Sequence, residues 1–132
     1  MNRKGFTLVE ILVVTLILGV TAGLAIPGYA NMMEVARSNE AKASLGIVLM
    51  AQKVYKLNSP TAVYYNPGSV SYSTINTNLN IDLMPQYYGK VDNWTITANG
   101  GTSFTATAPR DGAATKIFTI DETGSIGESG SY

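Results

Sequence analysis

The 132-residue sequence contains no cysteine and no histidine. Without cysteine the fold has no disulfide and no thiolate metal site. Without histidine it has no imidazole base for a catalytic triad and no His-ligated metal. A charge surplus is missing too: nine basic and nine acidic side chains give a formal net charge of zero. Binding nucleic acid through bulk charge needs a concentrated basic face. Lys, Ser, Asp and Tyr are present, but no spacing pairs a nucleophile with its base. The chain reads as a non-enzyme with no cofactor and no metal.

What is present is a long apolar run behind a basic tip. Met1-Asn2-Arg3-Lys4 precedes Gly5, and an almost unbroken hydrophobic segment then extends from Phe6 to about Ala30. About 20 apolar residues cover the ~30 Å hydrocarbon core of a bilayer, so residues 6–30 can span one. Arg3 and Lys4 should stay cytoplasmic by the positive-inside rule, leaving the rest of the chain outside. A Sec signal peptide is the competing reading. It fits poorly, because Glu10 would sit in its hydrophobic region and the helical pattern continues past any cut near residues 22–30. Gly19, Gly23 and Pro27 weaken the second half of the run. Pro27 lacks an N–H and crowds the carbonyl of Gly23, which predicts a kink or locally unwound stretch between Gly19 and Gly28.

Glu10 is the anomaly. A carboxylate in the middle of a bilayer costs about 2.5–3.5 kcal/mol on insertion scales. An anchor has no use for it, so Glu10 calls for a partner.

From residue 31 to 57 the pattern becomes amphipathic. Ala36, Ala43, Ile47, Met50, Ala51, Val54 and Leu57 recur at helical spacing and predict the packing face, widened by Leu45, Val48 and Tyr55. Glu34, Ser38, Lys42 and Lys53 form the predicted polar face. One helix from Phe6 to about Leu57 results, ended by Asn58-Ser59-Pro60. Residues 58–93 form an irregular loop rich in Ser, Thr and Asn, holding five of the eight tyrosines and expected to be partly packed by them. Leu79 to Leu83 alternates like a short strand or a single turn.

Residues 94–132 predict strands. Trp94–Ala98, Ser103–Ala108 and Lys116–Asp121 alternate, and Asn99-Gly100-Gly101 is a hairpin signal. Pro109-Arg110-Asp111-Gly112 and Glu122-Thr123-Gly124 mark further turns, with a polar tail from Gly127. The fold class is α+β: a long N-terminal helix, hydrophobic then amphipathic, packed on a small antiparallel meander of three or four strands.

Gly5-Phe6-Thr7-Leu8-Val9-Glu10 after a basic leader, followed by a long apolar helix with Gly19 and Pro27, resembles type IV prepilins and the related pseudopilins of type II secretion. The resemblance is specific over residues 1–30 and in outline only beyond. It implies a leader, residues 1–5, cut by a prepilin peptidase between Gly5 and Phe6, and methylation of the new Phe6 amine. It implies that Glu10, with Thr7 beside it, serves assembly, and that Gly19, Gly23 and Pro27 mark where the helix loosens in a filament. Implied partners are further copies of the chain, the inner-membrane assembly machinery and, before assembly, the lipid bilayer. The implied location is a single-pass inner-membrane precursor and then an extracellular pilus serving adhesion, motility or DNA uptake.

Phe6 and Glu10 lie four apart, so the amine freed by the cut can pair with Glu10 of its own chain or of a neighbour. A pilus subunit is favoured over a secretion pseudopilin, because Asp111, Asp121 and Glu122 read as turn residues rather than a calcium cage. A membrane-anchored binding module that never polymerises is the third reading, and it leaves Glu10 without a use. Lys53, Lys56, Lys90, Arg110 and Lys116 read as a solvated face in preference to a DNA-binding one.

Overall fold

The computed structural model describes residues 5–130. Residues 1–4, which hold most of the expected leader, and residues 131–132 lie outside that range. Helix α1 runs Leu8–Asn58, followed by strand β1 (Gly68–Val70), helix α2 (Tyr72–Leu79) and strands β2 (Trp94–Asn99), β3 (Ser103–Arg110), β4 (Ala113–Asp121) and β5 (Ile126–Ser129). The chain forms two compact units, one up to Ala36 and one from Arg37 onward.

In the first unit α1 is helical through Gly19, Gly23 and Pro27. The locally unwound stretch expected there is absent. An isolated apolar segment satisfies its peptide groups best by keeping the helical ladder, and a single proline removes only one donor from it.

In the second unit the five strands form one antiparallel sheet in the order β1-β2-β3-β4-β5. The sheet is a meander, as expected, but with five strands. β1 and β5 were not legible as strands. β1 has three residues and begins with glycine. All four residues of β5 are exposed, so it carries no alternation, as edge strands often do not. The tail expected from Gly127 is therefore the outer strand, pairing Ile126 to Ser129 with Ile120 to Ile117. The expected turn at Pro109–Gly112 is shorter, with Arg110 pairing Ala113. Pro109 lies inside β3, where the register shifts between Pro109 and Arg110, and a bulge is where a missing N–H is tolerated.

Trp94, Ile96, Phe104, Ala106, Phe118 and Ile120 point to one side of the sheet and form one core cluster with Ala41, Leu45, Val48 and Leu49 of α1. Here the packing face of α1 differs from the predicted one. Leu45, Val48 and Ala51 are buried as expected, with Ser38, Ala41 and Gln52 beside them, but Ala36, Ala43, Ile47, Met50, Val54 and Leu57 are exposed. Both faces of this helix are apolar at helical spacing. The inward one contains Ser38 and Gln52, so counting apolar residues favours the outward one. Ser38, expected on the polar face, is small enough to sit in the buried one.

The loop between α1 and β2 is more ordered than its composition suggests. Ser71 caps α2, accepting from Thr74 N, and Asn80 ends it in the left-handed conformation at φ 53°. The stretch expected to be a strand or turn, Leu79–Leu83, is thus a helix end and the chain leaving it. α2 was not legible because its sequence is mostly Ser, Thr and Asn, which favour caps over helix interiors. Three side-chain amides each pair both ways with a peptide elsewhere. Gln52 Nε2 donates to Tyr65 O (2.9 Å) and its Oε1 accepts from Tyr65 N (2.9 Å). Asn66 does the same with Ala98, and Asn76 with Leu83. Tyr64 and Tyr88 are buried against Phe104 and Phe118, with centroids 4.9 and 5.3 Å apart. Trp94 donates its indole N–H to Gly89 O (3.1 Å). A Cβ at Gly89 would lie 1.9 Å from that ring nitrogen, so only glycine fits there.

Candidate functional site

The start of α1 is built by Thr7 and Glu10. Thr7 N and Thr7 Oγ1 both donate to Glu10 Oε2, at 2.8 and 2.9 Å. Glu10 N in turn donates to Thr7 Oγ1 (3.2 Å). This is a capping box: Thr7 stands at the N-cap before Leu8, and the carboxylate three residues on reaches back. The carboxylate also meets the positive pole of the helix. Sequence reasoning placed Thr7 next to Glu10 but missed their mutual bonding. The signal was there in Thr-x-x-Glu ahead of an apolar run.

The cap does not hide Glu10, which remains exposed, as do Gly5 and Phe6. From Phe6 to Ile26 the large apolar side chains are uncovered, from Phe6 and Leu8 at 81 % to Val13 at 45 % exposure. The helix is long and apolar enough to cross a membrane. Its two mid-span hydroxyls are turned inward: Thr15 Oγ1 donates to Ile11 O and Leu12 O, and Thr21 Oγ1 to Ile17 O and Leu18 O. Neither threonine therefore offers an unmet hydroxyl donor to an apolar surrounding. A Cβ added at Gly5, Gly19 or Gly23 would meet nothing in its own chain.

Glu10 and Thr7 are thus brought together. The Phe6 nitrogen is an ordinary peptide nitrogen while residues 1–5 are attached.

The acidic turn residues bind backbone instead. Asp111 accepts from Lys90 N, Val91 N and Asp92 N at 2.9–3.1 Å, tying that loop to the β3–β4 hairpin. Asp121 accepts from Thr123 N, Thr123 Oγ1 and Ser125 N. The Thr123 hydroxyl first, and then the Ser125, Thr123 and Gly124 amides, hold its carboxyl below the usual aspartate range. Glu122 Oε2 accepts from Phe104 N. Of the five cations expected on a solvated face, Lys53 and Lys90 are exposed, and the others are at least partly buried. Lys116 is buried and ion-paired with Glu128 (3.1 Å). Lys56 donates to Gly101 O and lies 4.5 Å from the Tyr64 ring centre.

Residues 1–26 match the family model described as the prokaryotic N-terminal methylation motif. The chain is 36 % identical over 54 residues to the type IV major pilin protein PilA of Myxococcus xanthus, covering 41 % of this chain and 24 % of that protein. It is 37 % identical over 58 residues to the type II secretion system core protein G of Pseudomonas aeruginosa, covering 44 % and 41 % respectively. A longer match, 29 % over 109 residues, is to the type IV narrow pilus major component PilA5 of Thermus thermophilus, covering 77 % of this chain and 93 % of that one. The chain thus spans about a quarter and two-fifths of the first two relatives. No solved structure matches it. The chain thus carries the N-terminal methylation motif ahead of an exposed apolar helix capped by Thr7 and Glu10, and it is similar to type IV pilins and to a type II secretion core protein.

Proposed function

We propose that this chain is a structural, non-catalytic subunit of a type IV pilus. A prepilin peptidase cuts between Gly5 and Phe6, and the exposed Phe6 amine is then methylated. The helix holds the precursor in the inner membrane with the second unit outside the cytoplasm. The assembly machinery extracts it into a filament in which copies pack through their apolar helices, loosened between Gly19 and Pro27. The filament serves adhesion, motility or DNA uptake.

The observation that carries this reading is Glu10 on an otherwise apolar, fully exposed helix. Among the described residues the carboxylate is held by the Thr7 cap. The cut supplies a cationic partner four residues away, on the same chain or on a neighbour. An intermolecular pair would also fix the stagger between copies. The pilus reading is supported over the pseudopilin one by the relative that spans most of this chain, a pilus component. The pseudopilin reading rests on the shorter match to the secretion protein.

Electron microscopy of cells with and without this chain tests the proposal. Surface filaments should vanish on deletion, return with the unsubstituted chain and stay absent with Glu10→Ala, which should still enter the membrane. Filaments unchanged by the deletion would refute it.

A further inference from the structure

The outward side of the sheet is paved with hydroxyls. Alternating with the core residues Ile96, Ala106 and Phe118, the strands present Thr95, Thr97, Thr105, Thr107 and Thr119 on the other side. The register aligns them. Ser69, Thr95, Thr107 and Thr119 form one row across four strands, and Thr97 pairs Thr105 in the next. Rows are about 6.8 Å apart along the strands, and neighbouring strands are about 4.8 Å apart. A shallow depression of about 220 Å³ opens at the Thr97–Thr105 pair.

Two observations separate this face from ordinary wet surface. First, its hydroxyls are unused. Elsewhere among the described residues every threonine, from Thr7 and Thr15 to Thr102 and Thr123, bonds its hydroxyl within the chain. Among the described residues none of the six hydroxyls in these rows does so. Second, the face is almost uncharged. Charged residues make up about a quarter to a third of a well-solvated surface. At the outward positions of the regular ladders only Asp121 is charged among the described residues, and its carboxylate is already bonded to Thr123 and Ser125.

These properties select the partner. A charged polymer finds no counter-charge here. An apolar partner would bury the hydroxyls without hydrogen bonds, at a cost for each. The partner must therefore be neutral and bring its own donors and acceptors at regular spacing. Trp94 and Phe104 are turned into the core, so the face holds no aromatic ring on which a single sugar could stack. Ordering one loose glycan chain would also cost entropy, whereas the chains of a solid polysaccharide are ordered already. We propose that this face binds a neutral, β-1,4-linked polysaccharide in packed chains, of the cellulose or chitin kind. The inference rests on the filament reading and gives its adhesive role a ligand. Each hydrogen bond is weak on its own, and a filament repeats the face along its length.

Sedimentation of sheared filaments with microcrystalline cellulose and with chitin powder tests this, with carboxylated and plain polystyrene beads as the anionic and apolar controls. Filaments should sediment with either polysaccharide and with neither bead. Thr97→Val combined with Thr105→Val keeps shape and strand preference while removing two hydroxyls per copy. The bound fraction should then fall at least about tenfold, and serine at both positions should restore it. Valine at Thr95 and Thr107, the neighbouring pair, should give the same loss. Filaments that bind neither polysaccharide, that bind the beads equally well, or that bind as before with valine, would overturn the proposal and leave the filament reading standing. A valine variant that keeps its unfolding midpoint in detergent but makes no filaments would overturn it too, by making the face a contact between copies. Failure of the unsubstituted chain to form filaments would remove both readings.

Discussion

Thr7 and Glu10 hold each other at the head of α1, the threonine amide and hydroxyl on one carboxylate oxygen and the glutamate amide on the threonine oxygen. These local hydrogen bonds fix the carboxylate at the head of the helix, in position for an amine to meet it. Thr7→Val removes the hydroxyl from both bonds. Loss of such a cap costs about 1 kcal/mol, or a factor of about five in an equilibrium that depends on it. Filament yield per membrane-inserted subunit, measured by quantitative blotting, should fall several-fold with Thr7→Val. Thr7→Ser, which keeps the oxygen, should restore it.

Gln52 replaces a stretch of strand pairing for the loop that crosses it. In Gln52→Leu the Tyr65 N–H and C=O lose both partners while the side-chain volume is nearly kept. A cost of about 1–3 kcal/mol is expected. Trp94, the single and fully buried tryptophan, makes fluorescence a direct probe of urea unfolding of the chain in detergent.

Asp111 clamps residues 90–92 through three backbone amides in a chain that cannot use a disulfide there. Asp111→Ala should raise hydrogen exchange at Lys90, Val91 and Asp92 by at least about tenfold, with the β2–β3 amides little changed.

Asp121 gives the second unit a pH dependence of known sign. Its folded pKa lies below the ordinary value of about 3.9, so the folded state binds its proton less readily than the unfolded one. The stability it contributes is complete above the unfolded pKa and is lost as pH falls toward the folded one. Thermal midpoints measured from about pH 5 downward should decline less steeply for Asp121→Asn than for the parent chain.

Much of this fold was legible in the residues, and the misses have physical causes. Strands β2, β3 and β4 alternate because one side of the sheet faces the core, so period two is written into Trp94, Ile96 and Phe118. β5 faces the core on neither side, and α2 is held by caps and Ile75 and Leu79 against a polar sequence. The packing face of α1 was misassigned because the helix has two apolar faces. Periodicity shows that faces exist but not what covers each of them. Of the candidate site, Glu10 stands out of the apolar run as its one carboxylate. The Thr7–Glu10 cap is written as Thr-x-x-Glu ahead of an apolar run, and the geometry shows that spacing closing into mutual bonds.

The central claim is that the cut at Gly5 turns a membrane anchor into a filament subunit. Mass spectrometry of filaments sheared from cells that express this chain as their sole pilin tests it most directly. The expected result is that the chain is the main constituent and begins at a methylated Phe6. Filaments built from chains that still carry residues 1–5, or filaments without this chain, would contradict it.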